Sequence, residues 1–167
     1  MRGWPIRGIG PGSKGLQPYG STSFSDRTGD IRLEANIEYR HDLFQIIPNS
    51  LTLKWALFTD IGNIWNYKNT VPGGGYDSTQ FHFKNLYKQM GVSAGTGLRL
   101  DFNYVLLRFD LGFRFKRPEL SENYGWKAPS IGFDDLFGKL FSKGPNNEYR
   151  KWRYENFNFS IGLSYPF

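Results

Sequence analysis

The chain has 167 residues, with 21 Lys and Arg against 15 Asp and Glu for a net charge of +6, 20 glycines, 18% aromatics and no cysteine. That length allows one domain or part of one, and the missing cysteines exclude disulfide frameworks and Cys-based zinc sites. At a mean hydropathy of −0.52, no segment approaches the roughly 20 apolar residues of a membrane helix.

Residues 1–29 are dense in Gly, Pro, Ser and Arg and show no periodicity. Met1-Arg2-Gly3-Trp4-Pro5 lacks the apolar core of a signal peptide, so an exported or membrane reading expects a fragment or a processed product. Gly10-x-Gly12-x-x-Gly15 matches a dinucleotide fingerprint by letter, but no strand precedes it and no helix follows. Lys14 followed by Gly15 excludes a P-loop. The basic balance suits nucleic acid or phosphate-rich lipid as a partner; without a dense Lys/Arg block, well-solvated loops account for it better.

Five segments then alternate with period two, the pattern of strands with one apolar and one polar face. In 30–40, Ile31, Leu33, Ala35, Ile37 and Tyr39 oppose Asp30, Arg32, Glu34, Asn36, Glu38 and Arg40. In 51–65, Leu51, Leu53, Trp55, Leu57 and Ile61 oppose Thr52, Lys54, Ala56, Phe58, Asp60 and Gly62. In 90–102, Met90, Val92, Ala94, Leu98, Leu100 and Phe102 oppose a row containing Ser93, Gly95, Gly97 and Arg99. In 105–115, Val105, Leu107, Phe109, Leu111, Phe113 and Phe115 oppose Leu106, Arg108, Asp110, Gly112 and Arg114. Residues 156–167 place Phe157, Phe159, Ile161, Leu163, Tyr165 and Phe167 on one side, an apolar row that suggests lipid as solvent.

Each run has about the 9–11 residues of a tilted bilayer-spanning strand. Alternation alone does not separate a soluble sandwich, apolar side inward, from a membrane barrel, apolar side outward. The connections favour the barrel. They are 41–50 and 103–104 on one end, and 66–89 and 116–155 on the other, and long loops opposite short turns mark outer-membrane barrels. Tyr39, Trp65, Tyr104, Tyr165 and Phe167, near strand ends, are expected in interfacial girdles. Within the last loop, Phe133, Leu136, Phe137, Leu140 and Phe141 have helical spacing, which suggests a short amphipathic helix over 131–141. His41 and His82 lack metal-ligand spacing, and Asp134-Asp135 reads as a solvated face. No catalytic set, metal site or cofactor site is expected, and no enzyme activity.

A family resemblance appears in the order of these features. Arg2-Gly3-Trp4 is similar to the Arg-Gly-aromatic motif in the sixth extracellular loop of BamA/TamA-like proteins, the bacterial surface antigen family. Gly29-Asp30 opens the next strand, which continues through Asn36-x-Glu38-Tyr39-Arg40. Phe58-Thr59-Asp60-Ile61-Gly62-Asn63-Ile64-Trp65 resembles the family's Phe-x-Asp-x-Gly-x-x-Trp strand, and Ser93-x-Gly95-x-Gly97-Leu98-Arg99 follows. The closing Ser160-x-Gly162-x-x-Tyr165-x-Phe167 is similar to the C-terminal β-signal. The triplet and the terminal Phe are weak signals singly; the ordered set is specific and covers essentially the whole chain.

The resemblance implies an all-β, antiparallel transmembrane segment, the last five strands of a sixteen-stranded barrel. Residues 1–29 would be an extracellular loop folded into the lumen, and 30–167 would be the strands with two long extracellular loops. In that arrangement Arg2 would pair with Asp60 and Glu38, with Phe58 and Trp4 packing beside them and Gly62 nearby. The alternative is that Glu38 and Asp60 only line a wet interior among Arg32, Arg40, Lys54 and Arg99. Pro166, which has no amide hydrogen, would keep the terminal strand poorly paired at the family's seam.

The implied function is insertion of β-barrel proteins into the bacterial outer membrane without covalent chemistry. Expected partners are outer-membrane lipid and lipopolysaccharide, unfolded outer-membrane clients, accessory periplasmic or lipoprotein subunits, and the remainder of the barrel, but no nucleic acid. The rivals are a protein-translocating secretion pore of the same superfamily, a passive porin-like channel, and a soluble RNA- or polysaccharide-binding β-domain.

Overall fold

A computed structural model describes residues 1–13, 27–127 and 148–165. One antiparallel sheet of five strands runs in sequence order: β1 (Ile31–Ile47), β2 (Leu51–Trp65), β3 (Gly91–Asp101), β4 (Leu106–Lys116) and β5 (Phe157–Ser164). The sheet is open, with β1 and β5 at its edges, because so few strands cannot close on themselves. It is an all-β barrel segment. Among the described residues no helix is long and apolar enough to cross a membrane.

The two faces decide how the sheet is solvated. Ile37, Ile161 and Leu163 are 73%, 62% and 72% exposed, and Leu57, Leu98, Leu111, Phe157 and Phe159 on the same face are exposed too. The opposite face holds Asp60, Arg99 and Asp110, each 2% exposed or less, together with buried Phe58 and Ser93. A water-soluble sheet buries its apolar side. Here the polar side is covered and the apolar side is bare.

The ends of the sheet differ as well. At one end Pro48-Asn49-Ser50 joins β1 to β2, with Ser50 N donating to Ile47 O at 3.1 Å and Asn49 at φ 60°. Phe102 to Val105 joins β3 to β4, with Asn103 at φ 61°. Asparagine tolerates that left-handed backbone better than most residues. The two turns touch, Asn103 Nδ2 donating to Asn49 O at 2.7 Å. The other end carries both long connections. The first contains a 3₁₀ turn (Phe83–Asn85) and helix α1 (Leu86–Gln89); the second ends in helix α2 (Glu148–Asn156), which runs straight into β5.

Three expectations are corrected. Residues 41–47 are not part of a ten-residue connection, because β1 continues through them to Ile47. Register shifts at Asp42/Phe44 and Gln45/Ile47 break the alternation there, as bulges do by inserting an unpaired residue. Residues 148–156 are helical rather than loop. The helix is anchored by Trp152, whose indole stacks on Phe113 at 5.7 Å and donates from Nε1 to Lys127 O at 2.6 Å. Trp65 is fully buried and not part of a girdle, whereas Tyr39, Tyr104 and Tyr165 are exposed. The expected helix over 131–141, Asp134-Asp135, Pro166 and Phe167 lie outside the described residues.

Candidate functional site

Strand register sets one row of residues straight across the covered face. Glu38 pairs with Phe58, Phe58 with Gly95, Gly95 with Gly112, and Gly112 with Asn158, one residue from every strand. Two glycines side by side in the middle of a sheet weaken it unless something needs the space. Here residues 1–13 do. A Cβ on Gly95 would sit 2.6 Å from the Phe58 ring, and a Cβ on Gly112 would sit 2.9 Å from Arg2 O. The Phe58 ring therefore occupies the space over Gly95, and the loop backbone lies against Gly112.

Arg2 rests on this platform. Its guanidinium carbon is 3.7 Å from the Phe58 ring centroid. Its Nη2 and Nε donate to Asp60 at 2.6 and 3.1 Å, and its backbone N–H donates to Asp60 Oδ2 at 2.7 Å. Its Nη1 donates to Glu38 Oε2. The planar fork suits a carboxylate gripped from two nitrogens while a third reaches another acid. Burial works against the Arg2 charge, but the hydrogen bonds and charges of Asp60 and Glu38 outweigh it and raise its pKa. Arg2 stays a cation at any working pH.

The ionic network continues along the sheet. Glu38 Oε1 accepts from Arg40 Nε at 2.7 Å and from Arg99 Nη2 at 3.2 Å, and Arg99 Nη1 lies 2.5 Å from Asp110 Oδ1. Gly97 leaves room for that last pair, since a Cβ there would meet both side chains. Glu38, Asp60, Arg99 and Asp110 come from four successive strands. Removing one member of a buried ion pair strands the other and costs about 3–5 kcal/mol.

The rest of the segment is tied down by neutral contacts. Asn158 Nδ2 donates to Arg2 O at 2.8 Å and to Trp4 O at 3.3 Å, which fastens the loop to β5. Gly3 packs on Ser93, where any Cβ would collide. Trp4 is buried, with its ring against Gly91. Gly62 is buried on the covered face beside Met1 and the β1 backbone. Further on, Gly12 N donates to Ile64 O at 2.8 Å, Asn63 Nδ2 donates to Gly12 O at 2.8 Å, and Arg27 Nη1 donates to Gly10 O at 3.0 Å.

Arg2, Gly3, Glu38, Phe58, Asp60 and Gly62 thus share one face and one contact region. Ser160 and Gly162 lie on the covered side of β5, opposite Asp110 and Arg108, and exposed Tyr165 lies just beyond it. Gly95, Gly112, Ser93 and Asn158 were missed as site residues. For the two glycines the signal is glycine recurring in the polar rows of adjacent strands, which marks close backbone approach; Ser93 and Asn158 carry no such signal. Among the described residues no group of three His, Asp or Glu could hold a metal ion.

Within the connection 66–90, Asp77 is a local staple. Its carboxylate accepts from Thr70 N and Oγ1, both at 2.7 Å, and from Thr79 N and Oγ1 at 2.8 and 2.7 Å. The hydrogen bonds from Thr79 and Thr70 hold its pKa well below the usual aspartate range.

Two outcomes follow from this geometry. Gly112→Val drives a side chain into Arg2 O, so the Arg2 amide loses its hydrogen-exchange protection and stability falls by about 1–3 kcal/mol while β2–β4 stay paired. Retained Arg2 protection would contradict the close-approach role of Gly112. Asp77 has a depressed folded pKa, so its contribution is present above the unfolded value of about 3.9 and is lost as pH falls below it. Exchange of the Thr70 and Thr79 amides should accelerate below about pH 4 relative to the other loop amides, and Asp77→Asn should remove that pH dependence. A pH dependence unchanged in Asp77→Asn would assign it to another group.

A family model for the Omp85 superfamily domain matches residues 1–165, nearly the whole chain. No curated protein and no solved structure matched. The ordered motifs, the single antiparallel sheet and the matched domain agree, and the chain belongs to the Omp85 superfamily.

Proposed function

We propose that this chain is the C-terminal barrel segment of a BamA/TamA-like insertion factor of the bacterial outer membrane. Superfamily membership supports outer-membrane protein insertion or secretion in general. The finer reading rests on one observation: a loop carrying Arg-Gly-aromatic is held against the polar face of a sheet whose apolar face is bare. In this reading the bare face meets acyl chains, the covered face lines the lumen, and the long connections face outside the cell.

The work is mechanical, with no covalent step. Unfolded outer-membrane clients would add strands at an exposed sheet edge, where unpaired backbone groups template pairing. β5 and β1 are the edges of the described sheet. Pro166, with no amide hydrogen to give to a ladder, would keep the terminal strand loosely joined to its neighbour in the full barrel. Tyr165 and Phe167, with Ser160 and Gly162, would form the β-signal read when this protein is itself assembled. Accessory periplasmic or lipoprotein subunits and the rest of the barrel complete the machine.

The test is Arg2→Glu in the assembled barrel, scored by the rate at which a client barrel enters vesicles. Placing a carboxylate between Asp60 and Glu38 should slow insertion at least tenfold, about the factor for 1.4 kcal/mol of lost pinning, with the barrel still folded. Full insertion activity in Arg2→Glu would count against the pinned loop as the working part. If Arg2→Glu stops export of an unfolded passenger but leaves client insertion intact, the secretion-pore reading replaces this one.

A further inference from the structure

The loop end of the sheet carries a second constellation, away from the pinned segment. Trp65, at the end of the outward row of β2, is covered by the connection 66–90. Its Nε1 donates to Gln89 Oε1 at 2.8 Å and its ring meets Phe81 edge-on at 5.4 Å. Gln89 Nε2 donates in turn to Ser78 O at 2.8 Å. Lys116, 1% exposed at the end of β4, then clamps α1. Its ammonium donates to Tyr87 O, to Met90 O at 2.9 Å and to Lys88 O at 3.3 Å. A cation is well placed among the last carbonyls of a helix. Trp126 Nε1 adds a hydrogen bond to the Tyr87 hydroxyl at 3.2 Å.

The segment 83–90 is therefore fixed on one side and bare on the other. Phe83, Lys84, Tyr87 and Lys88 are all exposed, while Gln89 is buried and Leu86 and Met90 are half-buried. Tyr124 is exposed beside them, its ring centroid 5.8 Å from Lys88 Nζ. No carboxylate among the described residues forms an ion pair with Lys84 or Lys88. Two ammonium groups with no ion-pair partner among the described residues thus stand among exposed rings, next to where the outward apolar row of β2 stops.

We infer that Phe83, Lys84, Tyr87, Lys88 and Tyr124 form an anchor for the phosphate groups of membrane lipids. This rests on the proposal that the bare face of the sheet meets acyl chains. Aromatic rings settle at the headgroup level of a bilayer, and lysines lay their stems on apolar surface while the ammonium reaches phosphate. Charge complementarity selects this occupant: the strip offers two lysines and three rings, and no described carboxylate pairs with either lysine. The clamp by Lys116 and Trp126 orders the strip before any lipid arrives, so little is lost on binding. The anchor would set the depth of the sheet in the membrane at its loop end.

The test is flotation of the full-length protein with phosphatidylcholine vesicles, with and without phosphatidic acid, at low salt. The wild type should prefer the phosphatidic acid vesicles. K84Q/K88Q should lose about 25-fold of that affinity, roughly fivefold per lysine near an anionic surface, and bind neutral vesicles as before. K68Q, an exposed lysine elsewhere in the same connection, should keep the preference. A double variant that floats like the wild type overturns the inference, as does K68Q losing as much as K84Q/K88Q. Displacement by millimolar inorganic phosphate would show a free-anion site and overturn the lipid assignment. Insertion into both vesicle types that ignores Lys84 and Lys88 sinks this inference alone. A wild type that enters no vesicle overturns the membrane reading and the anchor with it.

Discussion

The covered face is organised around one guanidinium. Arg2 bears a full charge that must leave bulk water, and an isolated buried charge is prohibitively costly. Asp60 and Glu38 supply the counter-charge, and the Phe58 ring supplies a polarisable floor 3.7 Å away. None of this is reachable unless the loop backbone can lie on the sheet itself. Gly95 and Gly112 make that possible by leaving out two side chains in the row that runs from Glu38 to Asn158. The glycines and the ion pair are two halves of one device: the first allows the approach and the second rewards it. Cation–π contact of this kind adds about 0.5–2 kcal/mol.

From that device follows the inverted solvation of the sheet. In the row containing Asp60, Arg99 and Asp110, the segment that carries Arg2 covers Asp60, and the charges neutralise one another across strands. The row containing Ile37, Ile161 and Leu163 stays bare, and bare apolar surface of that extent marks an interaction surface or an apolar solvent. Backbone hydrogen bonds run from strand to strand, which leaves the two sheet edges to be satisfied in lipid. The remainder of a barrel would pair those edges. The loop, the ionic network and the oily exterior are therefore consequences of a single assignment of faces.

How much of this is legible in sequence depends on the range of the cause. Alternation at Phe58, Asp60 and Gly62, and at Arg108, Asp110 and Gly112, assigns faces directly, because the period of a strand is local. It places Glu38 and Asp60 on one side, but the position of Arg2 against them came only with the family resemblance, since a loop has no period. The continuation of β1 to Ile47 is hidden by bulges that shift which side Leu43, Phe44 and Ile46 face. Helix α2 has one buried indole, Trp152, amid charged residues and so carries no apolar stripe. Trp65 reads as an interfacial ring, yet its burial depends on Gln89 and Phe81, far along the chain. The glycines of adjacent strands are plain in the sequence, but their meaning depends on the register that sets Gly95 opposite Gly112.

The most direct measurement is a double-mutant cycle between Arg2 and Asp60, using Arg2→Gln, Asp60→Asn and the pair, read as the free energy of opening residues 1–13 by amide exchange. A segment held by this ion pair gives a coupling energy of about 2 kcal/mol or more, within the range of close charge pairs, and the double variant opens little more easily than either single one. Additive losses, with a coupling energy near zero, would mean that the loop is held by shape alone and that the charge on Arg2 does not organise the face.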